Sequence, residues 1–227
     1  MAYVEAFVFD VFISYTREDE GVWPGREEGW VSHFFCGLEN ALNQRVGRRT
    51  TIFFDRPSSS KPAPIEHVED SIRNSAVFVP VISPAYVACT RARWEFWRFV
   101  RDSGSFARIA PIEVAEEKQL SYPSSAPTPI RFWIREGGRE RRVSSETDPQ
   151  QYDLILARLA DEIVRRLRDL CFGLEVSEKP AKYSSLEPAS LPVPLPVPPE
   201  SALLALDDLL ALVKGTETGP QHDDPCC

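Results

Sequence analysis

No stretch of the 227 residues approaches the roughly 18–20 consecutive apolar residues of a membrane-crossing helix, so no membrane role is expected. The opening residues, MAYVEAFVFD, carry neither the basic region nor the small-residue cleavage site of a secretory leader. Cysteine is scarce: Cys36, Cys89, Cys171, Cys226 and Cys227 are odd in number and lack metal-ligand spacing. That usage fits a reducing compartment, and a cytoplasmic location is the expectation. A basic excess is missing as well. The chain holds 25 acidic and 23 basic residues up to Gly173, then 9 acidic and 3 basic from Leu174 onward. Nucleic acid is therefore not an expected partner.

The common chemical motifs are absent too. There is no glycine-rich phosphate loop and no serine nucleophile elbow. His33, His67 and His222 stand apart, with no paired carboxylates or cysteines to make a metal site, so neither metal nor resident cofactor is expected. A phosphoacceptor site would need an acidic pair after the first strand and an Asp ending the third. AVFVPVIS ends instead in Ser83.

What is present is an alternation of buried strands and amphipathic helices. Residues 7–15 read as a first strand, running into the small and polar Ser14, Tyr15, Thr16 and Arg17. Residues 29–44 place Trp30, Val31, Phe34, Phe35, Leu38 and Leu42 on one helical stripe. TTIFF at 50–54 is a second strand, and 55–64 is a loop with three prolines and three serines. Ile65, Val68 and Ile72 mark a short helix, and AVFVPVIS at 76–83 a third strand covered on both faces. A helix over 90–101 carries Trp94, Phe96, Trp97 and Val100; strands are expected at 108–114 and 130–134. The longest helix, 150–170, is expected to turn Leu154, Ile155, Leu159, Ile163, Leu167 and Leu170 inward. Arg139, Arg141 and Arg142 read as a solvated basic loop.

This pattern implies an α/β fold, a five-stranded parallel sheet with helices on both faces. It leaves the strand order open. The globular domain is expected over 1–173, a proline-rich linker with seven prolines between 180 and 199 over 174–200, and a short amphipathic helix (SALLALDDLLALVK) with a polar tail over 201–227.

Three ordered segments carry a family resemblance: DVFISYTRED, TIFFDRPSSSKPAPIEHVEDSI and SAVFVPVISPAYVACTRARWEF. Together they resemble a Toll/interleukin-1 receptor (TIR) domain, particularly the bacterial and plant kind, over roughly residues 6–172. The later APTPIRFWI is similar to the family's last strand. The resemblance implies a flavodoxin-like three-layer sandwich, and cleavage of NAD+ as substrate at the nicotinamide–ribose bond. It implies self-association through TIR–TIR contacts, in a defence or signalling pathway, with a sensor or adaptor engaged through the C-terminal helix. The alternative it leaves is a non-catalytic adaptor that recruits other TIR domains.

By the resemblance, Glu95 in ARWEF is the catalytic carboxylate, set in a cleft beside the tip of the first strand. The reading without the family is a solvated helix face on which Glu95 pairs with Arg91 at i−4. Ser14, Tyr15 and Arg17 fall where relatives line the dinucleotide site, and Asp55, Ser60 and Trp94 complete the expected substrate-binding set. Asp55 also reads as a loop cap, and Trp94 as core. The family often carries Trp-Cys at four and three positions before its glutamate; here Arg91 and Ala92 stand there.

Overall fold

The eight residues Ser75–Ile82 (β3) are buried throughout, as expected of a continuous apolar strand at the centre of a sheet. In the computed structural model, which describes residues 2–21, 29–55, 63–116 and 127–176, β3 pairs in parallel with Phe9–Ser14 (β1) from Phe9↔Ser75 to Ser14↔Pro80. Pro80 lacks an amide hydrogen, and it stands where the β1 ladder ends. Short strands Ile52–Phe53 (β2), Ile112–Glu113 (β4) and Ile130–Arg131 (β5) complete a parallel sheet of order β2-β1-β3-β4-β5. This is the flavodoxin-like doubly wound order that the strand–helix alternation left open. Its topological switch point lies between β1 and β3, the place where such sheets bind ligands.

Side chains alternate across β1, so Val11 and Ile13 face one layer and Phe12 the other. The first layer is Trp30–Val46 (α2) packed on Pro149–Val176 (α6), with Trp30, Phe34, Leu38, Leu159, Ile163 and Leu167 inward. The second is Ile65–Arg73 (α3) and Thr90–Ser103 (α5), joined by the stacked rings of Phe12, Phe53, Phe78 and Phe99. Two short helices, Arg17–Glu20 (α1) and Pro84–Ala88 (α4), follow β1 and β3 at the switch point.

Three expectations are corrected. Leu154 is 72% exposed, because Tyr152, Leu156, Leu159, Ile163 and Leu167 form the inward stripe of α6. The expected fourth strand at 108–114 is reduced to Ile112–Glu113: Arg108 ends a 3₁₀ turn capped by the Ser105 hydroxyl, and Ile109 meets β3 only in an isolated bridge to Phe78. The basic loop is a hairpin: Trp133–Glu136 (β6) pairs antiparallel with Arg139–Arg142 (β7). Its turn, Gly137-Gly138, has φ of 56° and 80°, a pair of left-handed residues that glycine supplies without strain. α6 continues three residues past the expected domain end at Gly173; the expected linker beyond it and the C-terminal helix lie outside the described residues.

Candidate active site

Ser14 closes β1, and its hydroxyl is 1% exposed with the rest of the side chain. It faces α5, the same side as Phe12, because residues two apart on a strand share a face. There the Ser14 hydroxyl donates to Glu95 Oε2 at 2.6 Å. Glu95 lies on the inward stripe of α5 with Ala92, Phe96 and Phe99, at helical spacing, and is 8% exposed. The solvated-face reading is therefore corrected, although the i−4 pair exists: Arg91 Nε lies 3.4 Å from Glu95 Oε1.

Burial raises the Glu95 pKa above the usual carboxylate range, and nearby Asp55 raises it further. The Ser14 hydrogen bond and the Arg91 charge pull the other way without cancelling that cost. Arg91 also binds the segment ends opposite: its Nη2 donates to the Ala63 carbonyl at 3.0 Å and lies 3.8 Å from Asp55 Oδ2. Asp55 Oδ2 accepts the Ala63 amide at 3.1 Å, and the Tyr15 hydroxyl donates to the Asp55 carbonyl. Tyr15, its ring stacked on Phe54 at 5.2 Å, has its hydroxyl pKa raised by burial and then by Glu20 and Asp55.

The structure thus gathers Ser14, Tyr15, Asp55 and Glu95 at one end of β1. Arg17 is exposed at the first position of α1, close enough to Tyr15 to act on its titration. Trp94 is half-buried against the Phe12–Phe53–Phe78 cluster, a packing role. Ser60 lies outside the described residues.

Two participants escaped the sequence reading. Tyr86, on α4, places its hydroxyl 3.0 Å from Ser14 Oγ and 3.2 Å from the Ala92 carbonyl. Its signal was the Ser83-Pro84 start of α4, an N-cap followed by proline, which fixes where the third residue on will point. Ser83 Oγ accepts the Tyr86 amide at 3.0 Å. The second is Asp19. Its Oδ2 accepts from Thr16 Oγ1 at 2.6 Å and Ser83 Oγ at 3.0 Å, while Oδ1 lies 3.4 Å from Arg142 Nη2. Arg142 also donates to the Asp19 carbonyl at 2.8 Å and covers the Trp30 ring at 5.1 Å. Burial lowers the Arg142 pKa, and Asp19 opposes that shift. Arg142 is therefore a tether from the hairpin to the switch point, not a solvated loop residue.

Neighbouring Glu20 caps α2 from a distance. Its Oε1 accepts the Gly29 amide at 2.8 Å and the Ser32 hydroxyl at 2.5 Å, and its Oε2 the Ser32 amide at 3.0 Å. Gly29 is required here, since a Cβ would stand 1.8 Å from the Glu20 carbonyl oxygen. Among the described residues no group of three or more His, Cys, Asp or Glu side chains could hold a metal ion, and no helix is long and apolar enough to cross a membrane.

No family model matches the chain, and no curated protein matches it. Among solved structures it is similar to the TIR domain of the Toll-related receptor TRR-2 from the lower metazoan Hydra magnipapillata. The identity is 19% and the TM-score 0.33, over 55% of this chain and 84% of that one.

Proposed function

We propose that this chain is a TIR-type NAD+ glycohydrolase in which Glu95 is the catalytic carboxylate. One observation carries the reading: Glu95 is a buried carboxylate at the sheet's switch point, held among the described residues by one short hydrogen bond at Oε2 and one longer contact at Oε1. A buried anion so sparsely supplied attracts a cation strongly, because little water or dipole competes for it. The reacting centre of NAD+ is such a cation. As the bond from nicotinamide N1 to ribose C1′ breaks, the pyridinium leaves as a neutral ring and positive charge moves onto the ribose. No general acid is needed for that leaving group, so one carboxylate suffices, unlike the pair in ordinary glycoside hydrolysis.

In this reading Oε1 of Glu95 receives a ribose hydroxyl and stabilises the oxocarbenium-like state, while Ser14 holds Oε2. Water then adds to C1′ and loses a proton to solvent, giving ADP-ribose; an internal nucleophile of the substrate would give a cyclic product instead. Tyr15 and Asp55 line the entrance, and Arg17 offers a charge to the diphosphate. Activity depends on self-association through TIR–TIR contacts, in keeping with a signalling or defence role, and a sensor or adaptor is recruited through the C-terminal helix expected at 201–214.

The second reading, a non-catalytic adaptor, is favoured by Arg91, whose guanidinium sits against the very oxygen a substrate would use. The experiment that separates the two is nicotinamide release from NAD+ by concentrated or crowded protein, compared with Glu95→Ala and with a chain truncated after Gly173. Release by the parent and none by Glu95→Ala supports the hydrolase. Equal release by both removes Glu95 from the chemistry, and release by neither, with partner recruitment intact, leaves the adaptor.

A further inference from the structure

The hydroxyl groups of Tyr86 and Ser14 form a chain that ends on Glu95, and the chain's direction follows from proton counting. An ionised carboxylate only accepts, and a serine hydroxyl has one proton to give. At 2.6 Å from Glu95 Oε2, Ser14 therefore gives its proton to Glu95. In that ionised state its 3.0 Å contact with the Tyr86 hydroxyl, in which either oxygen is placed to donate, is a hydrogen bond only with Tyr86 as the donor. Were Tyr86 to give its proton to the Ala92 carbonyl at 3.2 Å instead, the Ser14 lone pair would lose its donor inside a buried site.

Tyr86 is held for this task from two sides. The Ser83 hydroxyl fixes its backbone amide at 3.0 Å, and its 4%-exposed side chain packs with Cys89 and Ala92. Since Ser83 also donates to Asp19, the seat of α4 is tied to the segment after β1.

We propose that Tyr86 is a positioning residue that acts through Ser14, committing the Ser14 proton to Glu95 Oε2 and so leaving Oε1 to face substrate. This rests on the reading of Glu95 as the catalytic carboxylate. Among the described residues, the groups that face Glu95 are Ser14 from β1, Tyr15 from the segment after it, Asp55 from the segment after β2, and Arg91 from its own helix, with Tyr86 of α4 behind Ser14. Ser14 is the route by which Tyr86 reaches the carboxylate, and polarised hydroxyl chains strengthen each other's donation.

The test is a cycle of Tyr86→Phe, Ser14→Ala and the double variant, with two readouts. The first is the pH titration of the Glu95 carboxyl carbon by NMR, assigned against Glu95→Gln, which needs no turnover. The second is the pH profile of nicotinamide release. Both single variants should move the Glu95 midpoint upward, Ser14→Ala the more. Tyr86→Phe should cost about fivefold in rate on the acid side of the profile, the equivalent of one neutral hydrogen bond. In the Ser14→Ala background, Tyr86→Phe should change neither readout. A midpoint unmoved by Tyr86→Phe, or shifts that simply add in the double variant, overturns the proposal. The expected titration pattern in a parent that releases no nicotinamide supports the positioning and sinks the hydrolase reading instead. Phenylalanine keeps the ring that packs on Cys89 and Ala92, so a folded Tyr86→Phe is expected, and its thermal midpoint checks this.

Discussion

Asp19 and Glu95 are both buried carboxylates near the carboxyl end of β1, with side-chain exposures of 3% and 10%, yet they are supplied with donors very differently. Asp19 draws two hydroxyls to one oxygen and, to the other, a guanidinium at 3.4 Å, the same distance as Arg91 from Glu95, so the difference lies in the second hydroxyl. Glu20 and Asp10 follow the same pattern: Glu20 accepts from Gly29 and twice from Ser32, Asp10 from the Tyr3 amide and twice from Thr51. Among the described residues Glu95 has Ser14 at 2.6 Å and Arg91 at 3.4 Å. A carboxylate that only ties a fold together is satisfied, because a bare buried charge costs several kcal/mol. In the proposed reading Glu95 interacts with a developing cation, and fewer donors reach it among the described residues.

The contrast is broken most sharply at Glu95 itself. Glu95→Gln keeps the shape and removes the charge, and should lower nicotinamide release at least about 100-fold, the usual effect of losing one electrostatic stabiliser. The same variant should be more stable than the parent at neutral pH. Burial holds the folded-state pKa of Glu95 above its unfolded value, so the folded state binds the proton more tightly. The Glu95 contribution therefore favours the fold at low pH and is lost as pH rises through the raised value. Glutamine never ionises, so the gap between variant and parent should close below the ordinary carboxylate range. Thermal unfolding at several pH values measures it, with roughly 2–4 °C expected per kcal/mol recovered. A Glu95→Gln protein less stable at pH 7 than the parent would contradict the assignment of a strained carboxylate.

Asp19 should respond in the opposite sense. Asp19→Ala takes the acceptor from the Thr16 and Ser83 hydroxyls and the carboxylate from Arg142, which keeps its bond to the backbone carbonyl of residue 19, and about 3 kcal/mol of stability should be lost, read as a fall in the urea midpoint. Any loss of activity should follow the loss of folded protein. If Asp19→Ala unfolds no more easily than the parent, the knot between hairpin and switch point is not structural.

The two halves of this comparison were unequally legible in the sequence. Continuous apolar runs gave β1 and β3 away, and the Trp30–Leu42 stripe marked α2, because burial on both faces or along one stripe leaves a period that is read directly. The burial of Glu95 was hidden by its neighbours. Trp94, Phe96, Trp97 and Val100 suggest an apolar face that does not include it, whereas the buried residues are Ala92, Glu95, Phe96 and Phe99, so that only Phe96 is shared. The hairpin had a plain signal in Gly137-Gly138, but β7 is Arg-Glu-Arg-Arg, and charges rather than apolar contacts hold it: Arg135 reaches Glu140 at 2.7 Å and Arg141 reaches Asp148. Such a strand has no hydrophobic period to find. The Asp19–Arg142 pair joins residues 123 apart, a separation at which no local pattern operates. Leu154 was misassigned because 154, 155 and 156 are all apolar, and a helix can turn only part of such a run inward.

Arg91 lies between the two classes, since it neutralises Glu95 while tying Ala63 and Asp55 together. Removing its charge with Arg91→Gln takes away one of the two influences that hold the Glu95 pKa down. The acid limb of the activity profile should move to higher pH, with a loss of roughly threefold to tenfold below the parent midpoint, the scale of one partly buried ion pair. A limb that stays in place would mean that the 3.4 Å contact does not persist in the working state.

The smallest effect should come from Glu20, and it sharpens the comparison because Glu20 lies only one residue from Asp19. Glu20→Gln keeps one oxygen for the Gly29 amide and the Ser32 hydroxyl but turns an NH₂ toward the Ser32 amide, setting donor against donor. The cost should be about 1 kcal/mol, that of one helix cap, in chemical denaturation. The pH profile of nicotinamide release should not move, since Glu20 gives its lone pairs to α2 and none to Glu95. A shift of that profile as large as the one from Arg91→Gln would show that the charges around β1 act as a single pool, and the division between satisfied and undersupplied carboxylates would not hold.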